Sequence, residues 1–220
     1  MRLVRTMLAL ALTLLPLIVQ AQAGPRGEQR GAPPPAPPPA QPGQRGGGGG
    51  RGRGAIQNMT LTSSAWPDGG RIPVKYTQAG DEEPPPLAWS GAPEGTASFV
   101  LIVHDVDAPI GPGTDDLLQW MVWNIPPTAT SLHFARTPSM AQQPDGTRQI
   151  SATGPFYRGP GALAAGPTHH YVFELFALDI MLDVPAVGAS PPQTRAAVVA
   201  AMAGHVRGKA ALIGLFKREP

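Results

Sequence analysis

YVFELFAL, residues 171–178, is a continuous apolar run of strand length that is rich in aromatic side chains. Two more runs of the same kind lie upstream, SFVLIVH at residues 98–104 and WMVWNI at residues 120–125. Such runs are typical of strands buried in the middle of a sheet or sandwich. No helical pattern of about 10–15 residues separates them, which argues against a parallel doubly wound sheet. The chain is therefore predicted to form a mainly β domain.

Shorter segments on either side of these runs support this prediction. Residues 59–62 (MTLT) and 72–76 (IPVKY) alternate apolar and polar side chains, as half-buried strands do. Residues 66–70 (WPDGG), between them, are turn-forming. Residues 211–216 (ALIGLF) are expected to form a last strand or a docking segment at the end of the chain.

One helix is clearly indicated near the C-terminus. Ser190 has the position of an N-cap, Pro191 that of the first helical residue, and Gln193 completes a capping box. Gly208 stands where such a helix would stop. The apolar face of this helix is formed by Val198, Met202, His205 and Val206. His205 is accordingly predicted to be a core histidine.

The N-terminal residues 1–23 have the pattern of a signal peptide. Arg2 and Arg5 precede a short apolar stretch at residues 7–19, and the small-x-small triplet AQA at residues 21–23 offers a cleavage site. The apolar stretch is shorter than the roughly 18 residues that a membrane-spanning helix needs. A membrane span is therefore not expected, and the mature protein is predicted to be periplasmic or secreted.

Residues 24–54 contain eleven Gly and eight Pro and no aromatic or branched aliphatic side chain. Such a segment cannot bury enough apolar surface to offset its ordering entropy, so we predict a disordered linker rich in Pro, Gly and Arg. Its five Arg and one Glu give a charge of +4, whereas the ten Lys/Arg and fourteen Asp/Glu of residues 55–220 give −4. A mildly acidic domain is a poor nucleic-acid binder, so no nucleic-acid partner is expected.

Residues 55–220 form the predicted folded domain. A domain of this size buries roughly 70% of its unfolded surface and can be stable without disulfides. The chain has no Cys, which excludes thiol catalysis, Cys-ligated zinc and iron–sulfur clusters. The sequence also lacks the serine-hydrolase elbow, the HExxH zinc motif and the phosphate-binding P-loop.

The polar residues that could carry chemistry lie at the ends of the apolar runs. They are found in residues 104–109 (HDVDAP), at Gln119, in residues 157–160 (YRGP) and in residues 169–171 (HHY). Side chains at strand ends can converge at one rim of a sheet. We therefore expect a single polar site to be formed from these four segments.

At these segments the sequence resembles the phosphatidylethanolamine-binding protein family, and in particular its bacterial branch akin to Raf kinase inhibitor protein. Residues 105–109 (DVDAP) are similar to the family's Asp-Pro-Asp-Ala-Pro signature, and residues 169–179 (HHYVFELFALD) to its His-x-Tyr-x-Phe strand. Four further blocks match in order, at residues 61–73, 86–93, 119–126 and 201–206. The resemblance thus covers nearly the whole predicted domain.

The resemblance implies a large antiparallel sheet, a second small sheet and a C-terminal helix, with a small anion pocket at one end. The family's pocket residues fall on Asp105, Gln119, Gly159, Pro160, His169 and Tyr171. Three departures stand out: Val106 replaces the Pro of the signature, Gln119 replaces the pocket histidine, and the loop at residues 161–166 is one residue longer and lacks two prolines. Ligand identity therefore cannot be transferred from the family.

The residue types suit an anion, which is held by backbone N–H groups of a Gly-rich loop, an imidazole and a phenol. Asp105 would repel the anion, so its expected role is to orient a histidine and keep it protonated. Gln119 can supply only a neutral amide donor. His169 is then the only ionisable cation in the set.

These observations predict an exported module that binds phosphate, a phosphomonoester or a carboxylate, without catalysis and without a cofactor or bound metal. Modulation of a protein partner in the envelope is a further expectation. Two alternatives stay open: a metal-dependent or acid–base hydrolase that uses Asp105, Asp107 and His169, and a protease inhibitor.

Overall fold

The computed structural model describes residues 55–132 and 140–220. The predicted signal peptide (1–23) and linker (24–54) lie outside the described residues. Within the described part, the chain forms ten strands, one α-helix and one short 3₁₀-helix. The strands are β1 Gln57–Asn58, β2 Thr60–Ser63, β3 Gly70–Arg71, β4 Leu87–Ser90, β5 Ser98–Pro109, β6 Asp116–Ile125, β7 Ser131–Leu132, β8 Arg148–Ile150, β9 His169–Leu178 and β10 Val206–Phe216; the 3₁₀-helix is Val74–Tyr76 and α1 is Pro191–Met202.

The mainly β prediction is confirmed, and the three apolar runs form the centre of a large sheet. Its strand order is β1-β10-β9-β5-β6-β8, with β3 also paired to β10. The long strands β5, β6, β9 and β10 pair antiparallel. The short strands β1 and β3 pair parallel to β10. The large sheet is therefore antiparallel through its long strands, as predicted, and mixed at the edge where β1 and β3 join β10.

The second small sheet is also confirmed, with the antiparallel order β2-β4-β7. It packs with one face of the large sheet around a core rich in aromatic residues. Trp89 contacts Phe99 edge-on with ring centroids 5.4 Å apart, and Trp66 lies 5.5 Å from Phe173. Trp120 lies in the same core and packs edge-on against Tyr157, with ring centroids 5.3 Å apart.

The opposite face of the large sheet is covered by α1 and by the segment that precedes it. Val198 and Met202 of α1 are buried against Leu182 and Val184 of that segment and against Trp123 of β6. The Trp123 indole N–H donates to the Val184 carbonyl at 3.0 Å. This second core fixes the helix on the sheet beside the end of β5 and the start of β6.

The helix begins as predicted but ends earlier. Gln193 accepts the Ser190 backbone N–H at 3.0 Å, as a capping box requires. The last helical residue is Met202, and Gly204 at φ 84° reverses the chain into β10. Gly208 is thus a strand residue rather than the helix stop. It faces Met59 and Pro93 so closely that a Cβ would lie 2.7 Å from the Met59 sulfur.

Because the helix ends at Met202, His205 does not lie on its apolar face. The His205 side chain is 41% exposed, and its Nδ1 bonds the Asp179 carboxylate at 2.8 Å. The prediction of a core histidine was therefore wrong. Residues 72–76 also differ from the prediction, since Val74–Tyr76 is a 3₁₀ turn that follows Pro73 rather than a strand.

Under α1, the side chain of His104 lies between two carboxylates. Its Nδ1 is 2.5 Å from the Asp116 carboxylate and its Nε2 is 3.4 Å from that of Glu174. Arg195 of α1 bonds Asp116 at 2.6 Å, and Lys209 of β10 bonds Glu174 at 2.8 Å. This partly buried charge network, which the sequence did not indicate, connects the helix to the four strands β5, β6, β9 and β10.

Candidate anion-binding site

Strand pairing brings the predicted site residues to one end of the large sheet. β5 and β9 run antiparallel, so the end of β5 lies beside the start of β9, and Asp105 is opposite Tyr171. His169 is the first residue of β9, and Gln119 lies in the first half of β6, the other neighbour of β5. The loop that carries Gly159 and Pro160 precedes β9 and closes against the same end.

Asp105 and His169 form the buried pair at the centre of the site. Both oxygens of the Asp105 carboxylate lie within hydrogen-bond distance of His169 Nδ1, at 3.0 and 2.9 Å. The Asp105 side chain is 3% exposed and that of His169 is 18% exposed. A carboxylate can only accept, so it holds the proton on Nδ1 and leaves Nε2 for another partner. The predicted orienting contact is present.

Tyr171 holds the loop that precedes β9 through its phenol group. It is fully buried, and its phenol oxygen accepts the backbone N–H groups of Gly161 at 3.2 Å and Ala162 at 3.1 Å. Burial and the nearby negative charge of Asp105 raise the pKa of Tyr171 far above its ordinary value, so the phenol stays neutral. These two loop N–H groups are used by Tyr171 and are not free for an anion.

Gln119 also serves the loop. It is 1% exposed, and its amide group faces the backbone carbonyls of Arg158 at 3.0 Å and Gly159 at 3.1 Å. The orientation that satisfies hydrogen bonding points the NH₂ group at these carbonyls, and both of its hydrogens are then used. Gln119 therefore positions the loop, whereas the sequence predicted that its amide would donate to the ligand.

Gly159 and Pro160 are buried behind the site and do not line its cavity. The Gly159 carbonyl accepts from the Gln78 side chain at 2.8 Å, and the Pro160 carbonyl accepts the Gln78 backbone N–H at 2.9 Å. A Cβ on Gly159 would lie 2.7 Å from the Tyr76 carbonyl oxygen, so this close approach requires glycine.

In front of the Asp105–His169 pair lies a cavity of about 610 Å³. That size is sufficient for a small molecule. Its polar lining comprises Gln78, Asp105, Gln119, Thr153, Arg158 and His169. The remaining lining, which we call the apolar wall, is formed by Ala108, Leu117, Leu118, Ala152, Ala162, Leu163 and Ala165, with Gly161 and Gly166.

Comparison with known proteins agrees with this architecture. The sequence profile of the family described as phosphatidylethanolamine-binding protein matches residues 62–217. The chain belongs to the phosphatidylethanolamine-binding protein family. A UPF0098 protein of Methanothermobacter thermautotrophicus is 40% identical over 162 residues, which cover 73% of this chain and 99% of that protein.

A solved structure and a mycobacterial protein of the same family are also similar to this chain. The crystal structure of YbcL from E. coli, described as a member of the mammalian family, superposes with a TM-score of 0.59 at 26% identity, covering 73% of this chain and 99% of that one. A Mycobacterium tuberculosis protein, LppC, which is named as a candidate lipoprotein, is 33% identical over 165 residues, 74% of each chain. No helix in the described part of this family member is long and apolar enough to cross a membrane.

Arg158 lies in one of the polar segments that the sequence indicated, but its role in the site was not predicted. Its guanidinium lines the cavity while Nη1 bonds the Glu82 carboxylate at 3.2 Å and Nη2 bonds the Gln78 side-chain oxygen at 2.7 Å. In the sequence it stands directly before the Gly-Pro pair of the family's pocket loop. Its permanent charge at that position was the sequence feature that could have indicated a role in ligand binding.

Asp107 does not join Asp105 and His169. Its carboxylate accepts the backbone N–H of His170 at 2.6 Å and lies 2.8 Å from His170 Nδ1. The backbone hydrogen bond from His170, followed by its side chain, lowers the pKa of Asp107. Within residues 55–132 and 140–220, no three His, Asp or Glu side chains are grouped so that they could hold a metal ion.

Proposed function

We propose that this family member is an exported module that binds a small anion, a phosphate, phosphomonoester or carboxylate, in the cavity before Asp105 and His169, and that it does not transform this ligand. The observation that carries the proposal is the fixed imidazole of His169 at the wall of a cavity of about 610 Å³, with Arg158 on the same lining. Two cationic donors converging on an apolar pocket are suited to an anionic ligand.

The electrostatics of the site favour an anion in spite of the buried carboxylate. Asp105 directs both oxygens at His169, so the pair acts toward a ligand mainly through the His169 ring. Tyr171 stays neutral, and the nearby Asp107 is paired with His170.

The proposal of export is supported by the signal-peptide pattern of residues 1–23. It is also supported by the name of the mycobacterial relative, which places a family member on the lipoprotein route. The proposal includes that this exported module binds a protein of the cell envelope and modulates it.

Anion binding is tested by thermal denaturation with phosphate and phenyl phosphate at pH 5.5 and pH 8. At a ligand concentration of ten times Kd, mass action stabilises the fold by about 1.4 kcal/mol, or about 3–5 °C for a domain of this size. His169→Gln, which keeps a donor for Asp105 but removes the imidazole from the cavity lining, should reduce this stabilisation at both pH values.

His170→Ala is the matched control, since His170 is the neighbouring strand residue, pairs with Asp107 and does not line the cavity. It should behave as the unaltered protein. If neither anion stabilises the protein at either pH, the proposed function is wrong. Phosphate release from phenyl phosphate should also be measured, with and without divalent cations. If the unaltered protein releases phosphate and both His169→Gln and Asp107→Asn do not, the hydrolase is favoured instead.

A further inference from the structure

Most of the donors at the anion site are already used inside the protein. The Gln119 amide hydrogens go to the loop carbonyls, and the loop N–H groups of Gly161 and Ala162 go to Tyr171. His169 is paired with a carboxylate. The groups that can turn toward a ligand are therefore few, and the guanidinium of Arg158 is the one that carries a permanent charge.

The charge of Arg158 is balanced by a residue outside the cavity lining. Its hydrogen bonds to Glu82 and Gln78 engage one hydrogen each of the five that a guanidinium offers. The Glu82 side chain is 22% exposed and Arg158 is 35% exposed, so this pair is partly shielded from water. Arg158 can thus face the cavity on one side and Glu82 on the other.

Glu82 is held in an unusual backbone conformation. Its φ is 52°, in the left-handed region, which non-glycine residues adopt rarely and at some cost. The next residue, Glu83, is fixed separately by Lys75 at 2.9 Å. Conformational outliers of this kind cluster at functional sites, where the surrounding contacts maintain them. Glu82 also forms the ion pair to Arg158.

The lining also limits the ligand. Beside the polar groups, the apolar wall includes Leu117 and Leu163, and Leu163 is 67% exposed. A bare inorganic anion would leave this surface in contact with water. An anion that carries an apolar group would cover it and gain about 25 cal/mol for each Å² of apolar surface buried.

We propose that the ligand of this pocket is an organic anion whose apolar group packs on the apolar wall. Its anionic group is bound by Arg158, and the Glu82 carboxylate competes with it for the Arg158 guanidinium. The inference rests on the proposed function and specifies it further. The anionic group of the ligand and the Glu82 carboxylate compete for the same guanidinium charge. Weakening the Glu82 contact therefore strengthens ligand binding.

The test is a calorimetric titration at pH 8, where the contribution of histidine charge is small. Phenyl phosphate should bind at least threefold more tightly than inorganic phosphate. Arg158→Gln should weaken phenyl phosphate at least tenfold, and Arg158→Lys should fall between, because lysine keeps the charge but loses the planar fork. Glu82→Gln, which keeps an oxygen for Arg158 and removes the competing charge, should tighten binding three- to tenfold.

Arg71→Gln is the matched control, since Arg71 forms an exposed ion pair with Glu219 at 2.8 Å and does not line the cavity. It should leave the affinity unchanged. If the unaltered protein binds phenyl phosphate and Arg158→Gln binds it equally well, the inference is wrong while the proposed function stands. If the unaltered protein binds neither anion at pH 5.5 or 8, both are wrong. Should Arg158→Gln fail to fold, Glu82→Gln decides, and unchanged or weaker binding overturns the inference.

Discussion

His104 and Asp105 are consecutive residues of β5, and their side chains serve opposite faces of the same sheet. On one face, His104 is enclosed by Asp116 and Glu174 beneath α1, and its side chain is 12% exposed. On the other face, Asp105 holds His169 at the wall of an open cavity. The same residue types thus form a structural contact where a helix covers the sheet and a candidate binding site where the sheet borders a cavity.

The comparison extends to every histidine in the described part of the chain. His104, His169, His170 and His205 each bond an aspartate through Nδ1. An Asp–His contact is therefore no sign of function by itself in this protein. What separates the His169 pair from the others is that both of its residues line a cavity, together with Arg158. The covered, open and exposed pairs should differ strongly in their contribution to stability.

The largest effect is expected for the covered pair. His104→Leu keeps a similar volume but leaves Asp116 and Glu174 without the cation between them. Breaking one partner of a buried charge network is costly, and because Arg195 and Lys209 remain we expect a loss of about 2–4 kcal/mol in the free energy of unfolding. His169→Gln, at the open site, should lose less than half as much. Denaturant unfolding of both variants measures the difference.

The pH dependence of the same variant sharpens this test. Burial works against a charged His104, but its ion pair with Glu174 and its hydrogen bond with Asp116 prevail and raise its pKa. The approach of His104 Nε2 to within 3.4 Å is the main cause that lowers the pKa of Glu174 from 4.5 to about 2. The His104 contribution is lost as the pH rises through its raised pKa, and the Glu174 contribution is lost as the pH falls from 4.5 toward 2. The unaltered protein and His104→Leu should therefore differ most near pH 5.5; an equal difference at pH 3, 5.5 and 9 would contradict the network.

A smaller effect is expected at the open site, where Gln119 holds the loop. Gln119→Ala leaves the buried carbonyls of Arg158 and Gly159 without this donor, and Gly159 keeps only its bond from Gln78. Loss of such a donor costs about 1–3 kcal/mol. Gln143→Ala, which removes an exposed amide bonded to the Met140 carbonyl at 3.3 Å, is the control and should change stability by less than about 0.5 kcal/mol. Equal effects in urea unfolding would show that Gln119 does not anchor the loop.

The fold was predictable where the signal was local and strong. The continuous apolar runs became the central strands, and the capping residues marked the start of the helix. The prediction failed where a partner distant in sequence decides the structure. β1 and β3 pair parallel to β10 across about 150 residues, and no pattern within either short strand indicates that partner. Val74–Tyr76 forms a 3₁₀ turn, whereas we predicted a strand from the alternation of apolar and polar side chains in residues 72–76.

The sequence indicated which segments meet at this end of the sheet, but not the directions in which their side chains point. All six residues derived from the resemblance meet at one end of the sheet, yet Gln119, Gly159, Pro160 and Tyr171 hold the loop instead of facing the cavity mouth. The direction of each donor depends on contacts such as that of Gln78, which lies about 80 residues away in sequence. For the same reason the positions of Arg158 beside Glu82 and of His104 beside Glu174 could not be predicted from spacing.

The smallest effect is expected for the exposed pair of His205 and Asp179. If His205 were a core residue, as the helix pattern predicted, its replacement by alanine would cost about 2–5 kcal/mol, as for other large buried side chains. In the structure His205 is 41% exposed, and Asp179 keeps its ion pair with Arg207 when the imidazole is removed. Exposed ion pairs contribute about 0–1 kcal/mol, so His205→Ala should lower the free energy of unfolding by no more than that. Its unfolding midpoint in urea, compared with that of His104→Leu in the same buffer, separates the two cases. A loss as large as that of His104→Leu would mean that exposure does not distinguish the Asp–His pairs of this protein, and the contrast between its covered and open sites would lose its physical basis.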